Sequence, residues 1–590
     1  MSSKEKTLSD KEIAKLILTE VEKTTIRNHQ DLQSIKSKIT RIYTPKKFPT
    51  NIDLLCYATK EQYRKLRKVI TLKPTRTLSG VAPIAVMAKP LPCPHGKCIF
   101  CPGGVKSHFG NVPQSYTGFE PSTMRSIRAK YDPYLIVINR LEQYLLLGHD
   151  VEKTEVIIQS GTFCAFPKKY QTELITYVFK ALNDFSRLFF TSKNVDFELF
   201  KEFFELPCDL KDKKREKRIT QKMNILRRID VSKLSKKQVA NLLNEKKIIN
   251  GLKLKKFNPV LSTEINFNDK TSKVKCVGLT VETRPDYGRK INGLDLLKLG
   301  CTRIELGVQS VYDDVLKFVE RGHDVKTSTD SIRELKDLGF KLNFHYMPGL
   351  CDAKKDLEGM KELFSDSNFR PDMLKIYPCM VLPGTKLADL YDKSKFKPIN
   401  TSDAVLLISE FMKYVPSYCK IMRVQRDIPS DKIVAGVDKT NLRQMVDLEM
   451  KRKGILSSEI RSHESSRTES SGKQKIEIVE YDASNGKEFF ISSCDDNSVF
   501  GFCRLRFPSD DSKIAFVREL HVYGRAQTMG ECDDDSSQHK GIGKELMKVA
   551  ENISKKNKKQ KIIVISGVGV RGYYRKLGYK LDDTYMIKKI

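Results

Sequence analysis

Cys93-Pro-His-Gly-Lys-Cys98-Ile-Phe-Cys101 places three thiols and an imidazole in one short loop. Clustered thiols in a chain without a disulfide framework point to metal binding. Three thiolates can hold three irons of a 4Fe–4S cluster and leave the fourth iron open to chelate the amine and carboxylate of S-adenosylmethionine. Such a cluster, once reduced, cleaves the sulfonium to methionine and a 5′-deoxyadenosyl radical. The loop could instead close on zinc, with His95 completing a Cys3His site. Two features favour the cluster. The loop precedes strand–helix alternation rather than a small zinc module, and GVKSHFGNVPQSYTGFEPSTMR, which follows it, brings no second cysteine pair.

A second chemical signature lies near the C-terminus. Gln538-His-Lys-Gly541-Ile-Gly543 matches the Q-x-x-G-x-G/A turn of GNAT-type acetyltransferases. The physics is anion binding at a helix N-terminus: glycine lets the backbone close on a pyrophosphate, and free N–H groups with the helix dipole hold it. VRELHVYG upstream suits a strand whose edge receives a pantetheine arm. SGVGVRGYYRKLGY downstream suits the strand and helix that finish such a domain. Tyr574 is the candidate thioester-facing side chain, and core packing is the other reading of Tyr573-Tyr574.

These turns need scaffolds. EVIIQSG (155–161), VKCVGLTVETRPD (274–286), CTRIELGVQS (301–310), KLNFHYMPGL (341–350) and MLKIYP (373–378) read as buried strands, with helical segments such as GLDLLKLG and SIRELKDLG between them. That alternation predicts an α/β fold, a parallel sheet or partial (β/α) barrel with its chemistry at the strand C-terminal ends. KIEIVEY, VFGFCRLRF and IAFVRELHVYG begin a separate α+β pattern after a Ser- and charge-rich connector around 455–473. The expected organisation is a basic region over 1–80, the barrel over 81–390, a linking region over 391–473 and the α+β domain over 474–590. A charged, mostly helical insertion at about 186–273 interrupts the barrel. It reads either as RNA-binding charge or as a solvated decoration.

The chain has 590 residues, 39% hydrophobic, which excludes global disorder. Lysine and arginine number 106 against 73 acids, a net charge of +33 that points to a polyanionic partner, RNA or DNA. Basic side chains interleave with tyrosine in KEQYRKLRKVITLKPTRTLSG, so Arg64, Lys65, Arg67, Lys68, Lys73 and Arg76 are candidate phosphate contacts, with a solvated helix face as the alternative. No apolar run is long enough to span a bilayer and no secretory signal opens the sequence, so the expectation is a cytoplasmic protein without membrane contact.

Taken together and in order, CPHGKCIFCPGG, QSYTGFEPSTMR, RAKYDPY, TVETRPDY, GCTRIELGVQSVYDDV, RGHDVK, FRPDMLKIYP, MRVQRDIP, VRELHVYG and GVRGYYRKLGY resemble the Elongator catalytic-subunit family of tRNA-uridine modifying enzymes. The resemblance covers roughly 75–185 and 274–590. Phe100, between the last two cysteines, is usual in radical-SAM loops, whereas the Cys93–Cys98 span departs by one residue from the commonest superfamily spacing. This compact spacing is similar to that of archaeal or bacterial-type members, which implies a stand-alone enzyme or homo-oligomer rather than a subunit of a larger complex.

The resemblance implies a radical-SAM partial barrel followed by a GNAT domain, a 4Fe–4S cluster on Cys93, Cys98 and Cys101, S-adenosylmethionine, acetyl-CoA as co-substrate and tRNA as substrate. It implies acetyl-CoA contacts from Lys153, Glu519, Leu520, His521, Val522, Gly541, Ile542, Gly543, Lys544, Glu545 and Tyr574, with Lys153 and Tyr574 nearest the chemistry. One departure is Ser160, in IQSGTF, where the family often has glycine. The implied reaction joins the acetyl methyl carbon to C5 of the wobble uridine and, after thioester hydrolysis, leaves 5-carboxymethyluridine. The electron donor is not named by any residue. Two rivals remain: a protein lysine acetyltransferase whose cysteine cluster is structural, and a tRNA-binding scaffold with a degenerate site.

Overall fold

The computed structural model describes residues 8–45, 47–71, 77, 79–192, 194–208, 212–245, 257–468, 472–510, 512–524 and 541–590, with backbone alone at 60, 64, 65, 67 and 68. The chain divides into two compact units. One comprises Met1–Ala82, Tyr134–Thr154 and Thr176–Lys275; the other comprises Pro83–Pro133, Glu155–Ile175 and Cys276–Ile590.

In the first unit, helices Asp10–Lys23, His29–Tyr43, Asn51–Tyr57 and Lys60–Ile70 each open with a capping box, set by Ser9/Glu12, Asn28/Asp31, Thr50/Asp53 and Thr59/Gln62. Each box satisfies backbone N–H groups the helix cannot pair itself. The segment expected as an insertion does not hang off this unit; it builds its core. Phe185, Phe189, Phe197, Phe200, Phe203 and Phe204 pack together, and Tyr63 stacks on Phe197 with ring centroids 4.2 Å apart. Beneath them Asp184, fully buried, accepts from Lys180, from Tyr134 at 3.0 Å and from Arg187 at 3.2 Å. Among the described residues, the charges of helix Phe197–Phe203 lie opposite a phenylalanine face and those of helix Lys213–Leu226 opposite Ile219, Met223 and Leu226, the ordinary amphipathic arrangement.

The second unit contains two sheets of functional interest. β1 (Ala82–Met87), β4 (Lys153–Gln159), β5 (Lys275–Thr283), β6 (Arg303–Gln309), β7 (Lys341–Tyr346), β8 (Met373–Ile376) and β9 (Lys420–Arg423) form one seven-stranded sheet in that order. Pairs from β5 to β9 run parallel. The barrel therefore extends past the expected boundary at 390, because β9 comes from the stretch expected as a linker. The hairpin β2 (Gly104–Ser107) and β3 (Gly110–Val112) stands apart.

The Ser-rich connector is also pinned. Glu459, fully buried, accepts from the backbone N–H of Ile421 and Arg461 at 3.0 and 2.8 Å, and Glu464 pairs with Lys420. These two carboxylates anchor the connector to β9.

β10 (Lys475–Ala483), β11 (Gly486–Cys494), β12 (Val499–Phe507), β13 (Ile514–Val522), β14 (Lys561–Val564), β15 (Lys580–Asp582) and β16 (Tyr585–Lys589) form the second sheet, ordered β10-β11-β12-β13-β14-β16-β15. Helix Ile542–Lys556 closes its core through Leu546, Met547 and Ala550. Only β13 and β14 run parallel there, over 514–517 and 561–564.

A bulge joins the two sheets. Arg504 pairs with Glu519 but Leu505 pairs with Val517, so Arg518 is the extra residue on β13. A bulge lets neighbouring side chains escape strict alternation. Arg518 and Glu519 accordingly both reach the barrel. Arg518 donates to the Asp372 carboxylate at 2.7 and 2.5 Å and to the Phe340 carbonyl at 2.8 Å. Glu519 takes Arg504 Nε at 2.9 Å and pairs with Lys341 of β7 at 3.3 Å. Arg506 bridges Glu488, within the sheet, to Asp337 of the barrel. Close backbone packing accompanies these pairs: a Cβ on Gly567 would lie 2.0 Å from the carbonyl oxygen of Val277 on β5.

Candidate active site

The cysteine loop leaves β1 and folds on itself through Gly96, whose φ of +91° suits glycine, with its N–H on the Cys93 carbonyl at 3.0 Å. Cys98 and Cys101 are buried, Cys93 half-buried, and all three are free thiols. Cys98 Sγ lies 3.2 Å from His95 Nε2 and accepts from Arg321 Nη1 at 3.6 Å. Cys93 Sγ lies 3.4 Å from Thr162 Oγ1. Burial raises the Cys101 thiol. For His95, burial first and then Arg284 and Arg321 lower the imidazole to about 4.

Among the described residues, the set of three donors lying within 4.8 Å of one another is Glu282, Glu305 and His345, not the cysteine loop. A tetrahedral zinc at about 2.3 Å from each sulfur would hold its thiolates roughly 3.8 Å apart. Cys93, Cys98 and Cys101 are not among the described donors drawn to within 4.8 Å of one another, and as free thiols on one loop they offer the donor chemistry of an iron–sulfur site.

The loop borders a cavity of about 340 Å³ at the C-terminal ends of the barrel strands. Alternation on β6 aims Arg303, Glu305, Gly307 and Gln309 into it. Several lining atoms are buried without a partner: Gln159 Oε1, Arg284 Nη1, Gln309 Oε1 and Arg321 Nε. Such atoms are costly unless a polar ligand meets them. At the floor, Glu305 accepts from Asn343 at 3.2 Å, His345 at 3.0 Å and Lys375. Burial alone would raise Glu305, but Lys375, His345 and Arg303 hold it well below the carboxylate range. Glu282 accepts from Tyr116 at 2.9 Å and from the Ser160 N–H at 3.2 Å. With Lys375 in their midst, the three converging donors form an ion-paired floor rather than a cation cage. Ser160 thus gives its backbone N–H to Glu282, while the left-handed φ of +73° falls on Gly161.

In the C-terminal sheet β13 parts from β14 beyond Val517, leaving the edge of Glu519, Leu520, His521 and Val522 open on that side among the described residues. Helix Ile542–Lys556 begins at Gly541, φ +86°, with no side chain capping its first turn, where Ile542, Gly543, Lys544 and Glu545 lie. Tyr574 is 6% exposed inside the hydrophobic core, and burial pushes its phenol far up. Tyr573 is the more exposed of the pair; its hydroxyl lies 2.8 Å from where a Gly543 Cβ would sit. Gln538 lies outside the described residues.

Lys153, the first residue of β4, is half-buried, and burial lowers its amine against Glu152 and Asp150. Arg64, Lys65, Arg67 and Lys68 lie on helix Lys60–Ile70, known by backbone alone, while Lys73 and Arg76 fall outside the described residues. Sequence reasoning missed Glu282, Glu305, His345, Lys375 and Arg321. The signal was available in four of them: a charged residue or histidine inside an otherwise apolar strand run is rare unless paired or functional.

Four family descriptions match the chain: ELP3 N-terminal domain over 8–78, Radical SAM superfamily over 240–363, Radical_SAM C-terminal domain over 371–452 and Acetyltransferase (GNAT) family over 454–579. The tRNA uridine(34) acetyltransferase of Methanocaldococcus infernus is 37% identical, covering 98% of each chain. Human Elongator complex protein 3 is 36% identical over 99% of this chain and 98% of its own. The solved structure of an N-terminally deleted M. infernus Elp3 superposes with a TM-score of 0.64 at 33% identity, covering 87% of this chain and all of the other. A radical-SAM barrel and a GNAT sheet are thus joined in one chain, and the protein belongs to the Elongator complex protein 3 family.

Proposed function

We propose that this protein converts the wobble uridine of tRNA to 5-carboxymethyluridine, using S-adenosylmethionine and acetyl-CoA. The observation that carries the reading is the union of two cofactor scaffolds in one compact unit. The barrel that carries the cavity and its three thiols is tied to the GNAT sheet by the buried Asp372–Arg518 pair. A protein acetyltransferase working through its C-terminal sheet alone would have no use for that union, and Arg504, Arg506 and Arg518 would lose their barrel partners without it.

Cys93, Cys98 and Cys101 would hold the 4Fe–4S cluster, which with S-adenosylmethionine supplies the radical. The unpartnered atoms of Gln159, Arg284 and Gln309 would meet polar groups of the ligands in the cavity. The turn at Gly541 would take the CoA pyrophosphate on its first N–H groups, ahead of Lys544 and Glu545, whose N–H groups donate to the Gly541 carbonyl, and the open edge from Glu519 to Val522 would take the pantetheine arm. The net charge of +33 suits the tRNA backbone, and the candidate lysines and arginines of 64–76 would contribute. The target uridine must leave its stack to enter a cavity of this kind. The compact Cys93–Cys98 spacing supports a stand-alone enzyme, and among the described residues no helix is long and apolar enough to cross a membrane.

The test is an anaerobic reaction of reconstituted protein with S-adenosylmethionine, acetyl-CoA, a reductant and unmodified tRNA, with nucleosides read by mass spectrometry. Carboxymethyluridine and 5′-deoxyadenosine are both expected, and both disappear in Cys98→Ala. A verified 4Fe–4S protein that binds tRNA but leaves every uridine unchanged sinks the reading, and lysine acetylation that survives Cys98→Ala would put the rival ahead.

A further inference from the structure

We infer that Arg321 tunes the iron–sulfur cluster: its guanidinium, fixed against the Cys98 sulfur, raises the potential at which the cluster accepts an electron. The inference rests on the reading of Cys93, Cys98 and Cys101 as cluster ligands.

Arg321 is 7% exposed. Its Nη2 donates to the Gly307 carbonyl at 2.7 Å and its Nη1 to Cys98 Sγ at 3.6 Å, while Nε has no partner. The contrast with its neighbour is informative. Arg284, also buried, is neutralised by Asp286 through bonds at 2.9 and 2.8 Å. Arg321 is hydrogen-bonded to a carbonyl and a sulfur instead, and Asp286 reaches it only as a charge beyond hydrogen-bond distance. A buried guanidinium held by neutral groups is expensive. A thiolate carrying cluster charge supplies the missing anion at the atom Arg321 already touches. Hydrogen bonds to a cluster's sulfurs and nearby charge are among the protein's means of setting its potential.

The placement is built into the backbone. On β6, a Cβ at Gly307 would lie 2.5 Å from Arg321 Nη2, so only glycine leaves the guanidinium its berth. Gly322, φ +79°, does the same for the loop: a Cβ there would lie 2.9 Å from that of His95. The segment after helix Asp313–Phe318 is tied to the cysteine loop by the Ile99 N–H on the Val319 carbonyl at 3.2 Å. Arg321 therefore reaches Cys98 across a packed seam.

The sign follows from electrostatics. A fixed positive charge favours the more negative, reduced cluster, so removing it lowers the midpoint. Full-length Arg321→Gln, Arg321→Lys and Gly307→Ala proteins would be reconstituted and compared with wild type by redox titration followed by EPR. Iron and sulfide would be measured on the same samples. Arg321→Gln is expected to load fully and to show about a tenfold smaller reduced-to-oxidised ratio at the wild-type midpoint, about 59 mV lower for a one-electron couple. Arg321→Lys should regain most of the shift. Gly307→Ala, whose methyl displaces the guanidinium without removing it, should fall between. A fully loaded Arg321→Gln protein with the wild-type midpoint overturns the inference. If that variant fails to load, Gly307→Ala decides: a wild-type midpoint there overturns it equally. A wild-type protein that takes up no 4Fe–4S cluster overturns instead the reading of the cysteine loop.

Discussion

Replacing Asp372 by asparagine strikes the joint between the barrel and the acetyltransferase-type sheet. Asp372 is fully buried and accepts four hydrogen bonds and contacts of defined length: Arg518 at 2.7 and 2.5 Å, the Leu342 N–H at 2.8 Å, and Arg504 at 3.7 Å as an ion pair. Burial alone would raise this carboxyl; Arg518 and Arg504 hold it far below the aspartate range. Asparagine preserves shape but leaves the two guanidinium groups, out of reach of water, with only Glu488 and Glu519 as anionic partners. Breaking one side of a buried pair costs about 3–5 kcal/mol, a large share of the roughly 5–15 kcal/mol that holds a domain together. Urea unfolding followed by far-UV circular dichroism and tyrosine fluorescence reads the loss, tryptophan being absent from the chain. The decisive comparison is the double variant with Arg518→Met. Removing both charges should cost less than the two single losses added, by about 2 kcal/mol or more. A loss under about 1 kcal/mol in Asp372→Asn, or strict additivity in the double variant, would refute the reasoning.

Acid should act first on a second carboxylate of the joint. Burial raises Glu519, but Lys341 and Arg504 outweigh it and hold it at about 2, against 4.5 for an ordinary glutamate. Its contribution is therefore complete above 4.5 and lost as pH falls from there towards about 2, so Glu519→Gln should flatten the fall in unfolding free energy across that window; a wild-type slope in the variant would count against the assignment. Gly567→Ala would place a methyl 2.0 Å from a backbone oxygen that has nowhere to go, and should lower stability by about 1–3 kcal/mol in thermal unfolding. Gly572→Ala, with open space around its Cβ, is the control and should change stability by under about 0.5 kcal/mol.

What the sequence revealed depended on whether the signal was local. The cysteine loop, the strand runs at 274–286, 301–310 and 341–350 and the glycine turn at 541 are each written in consecutive residues, and β5, β6, β7 and Gly541 stand where those runs place them. The joint was invisible for the opposite reason. Asp372 and Arg518 are far apart in sequence, and each reads as an ordinary charged residue until the bulge at Arg518 turns two neighbours the same way. The insertion misled because charge density hides an amphipathic core: the phenylalanines from Phe185 to Phe204 report burial only once their partner, Tyr63, is brought alongside. Tyr573 and Tyr574 could not be told apart by spacing. Packing separates them, with Tyr574 in the core and Tyr573 against Gly543.

The first unit is assembled from three stretches, Met1–Ala82, Tyr134–Thr154 and Thr176–Lys275, and this has a consequence for its birth on the ribosome. The phenylalanine core that receives Tyr63 is not translated until well over a hundred residues later. At about 5–20 residues per second, the helices of the N-terminal stretch wait roughly 10–40 s for the last stretch to emerge. During that interval Tyr63, buried in the finished protein, lacks the Phe197 ring on which it stacks. The four capping boxes then take on a second significance: they can hold local helical order while the tertiary contacts are still being synthesised. Loss of several boxes at once should therefore be felt more in the yield of soluble nascent chains than in the stability of the purified enzyme.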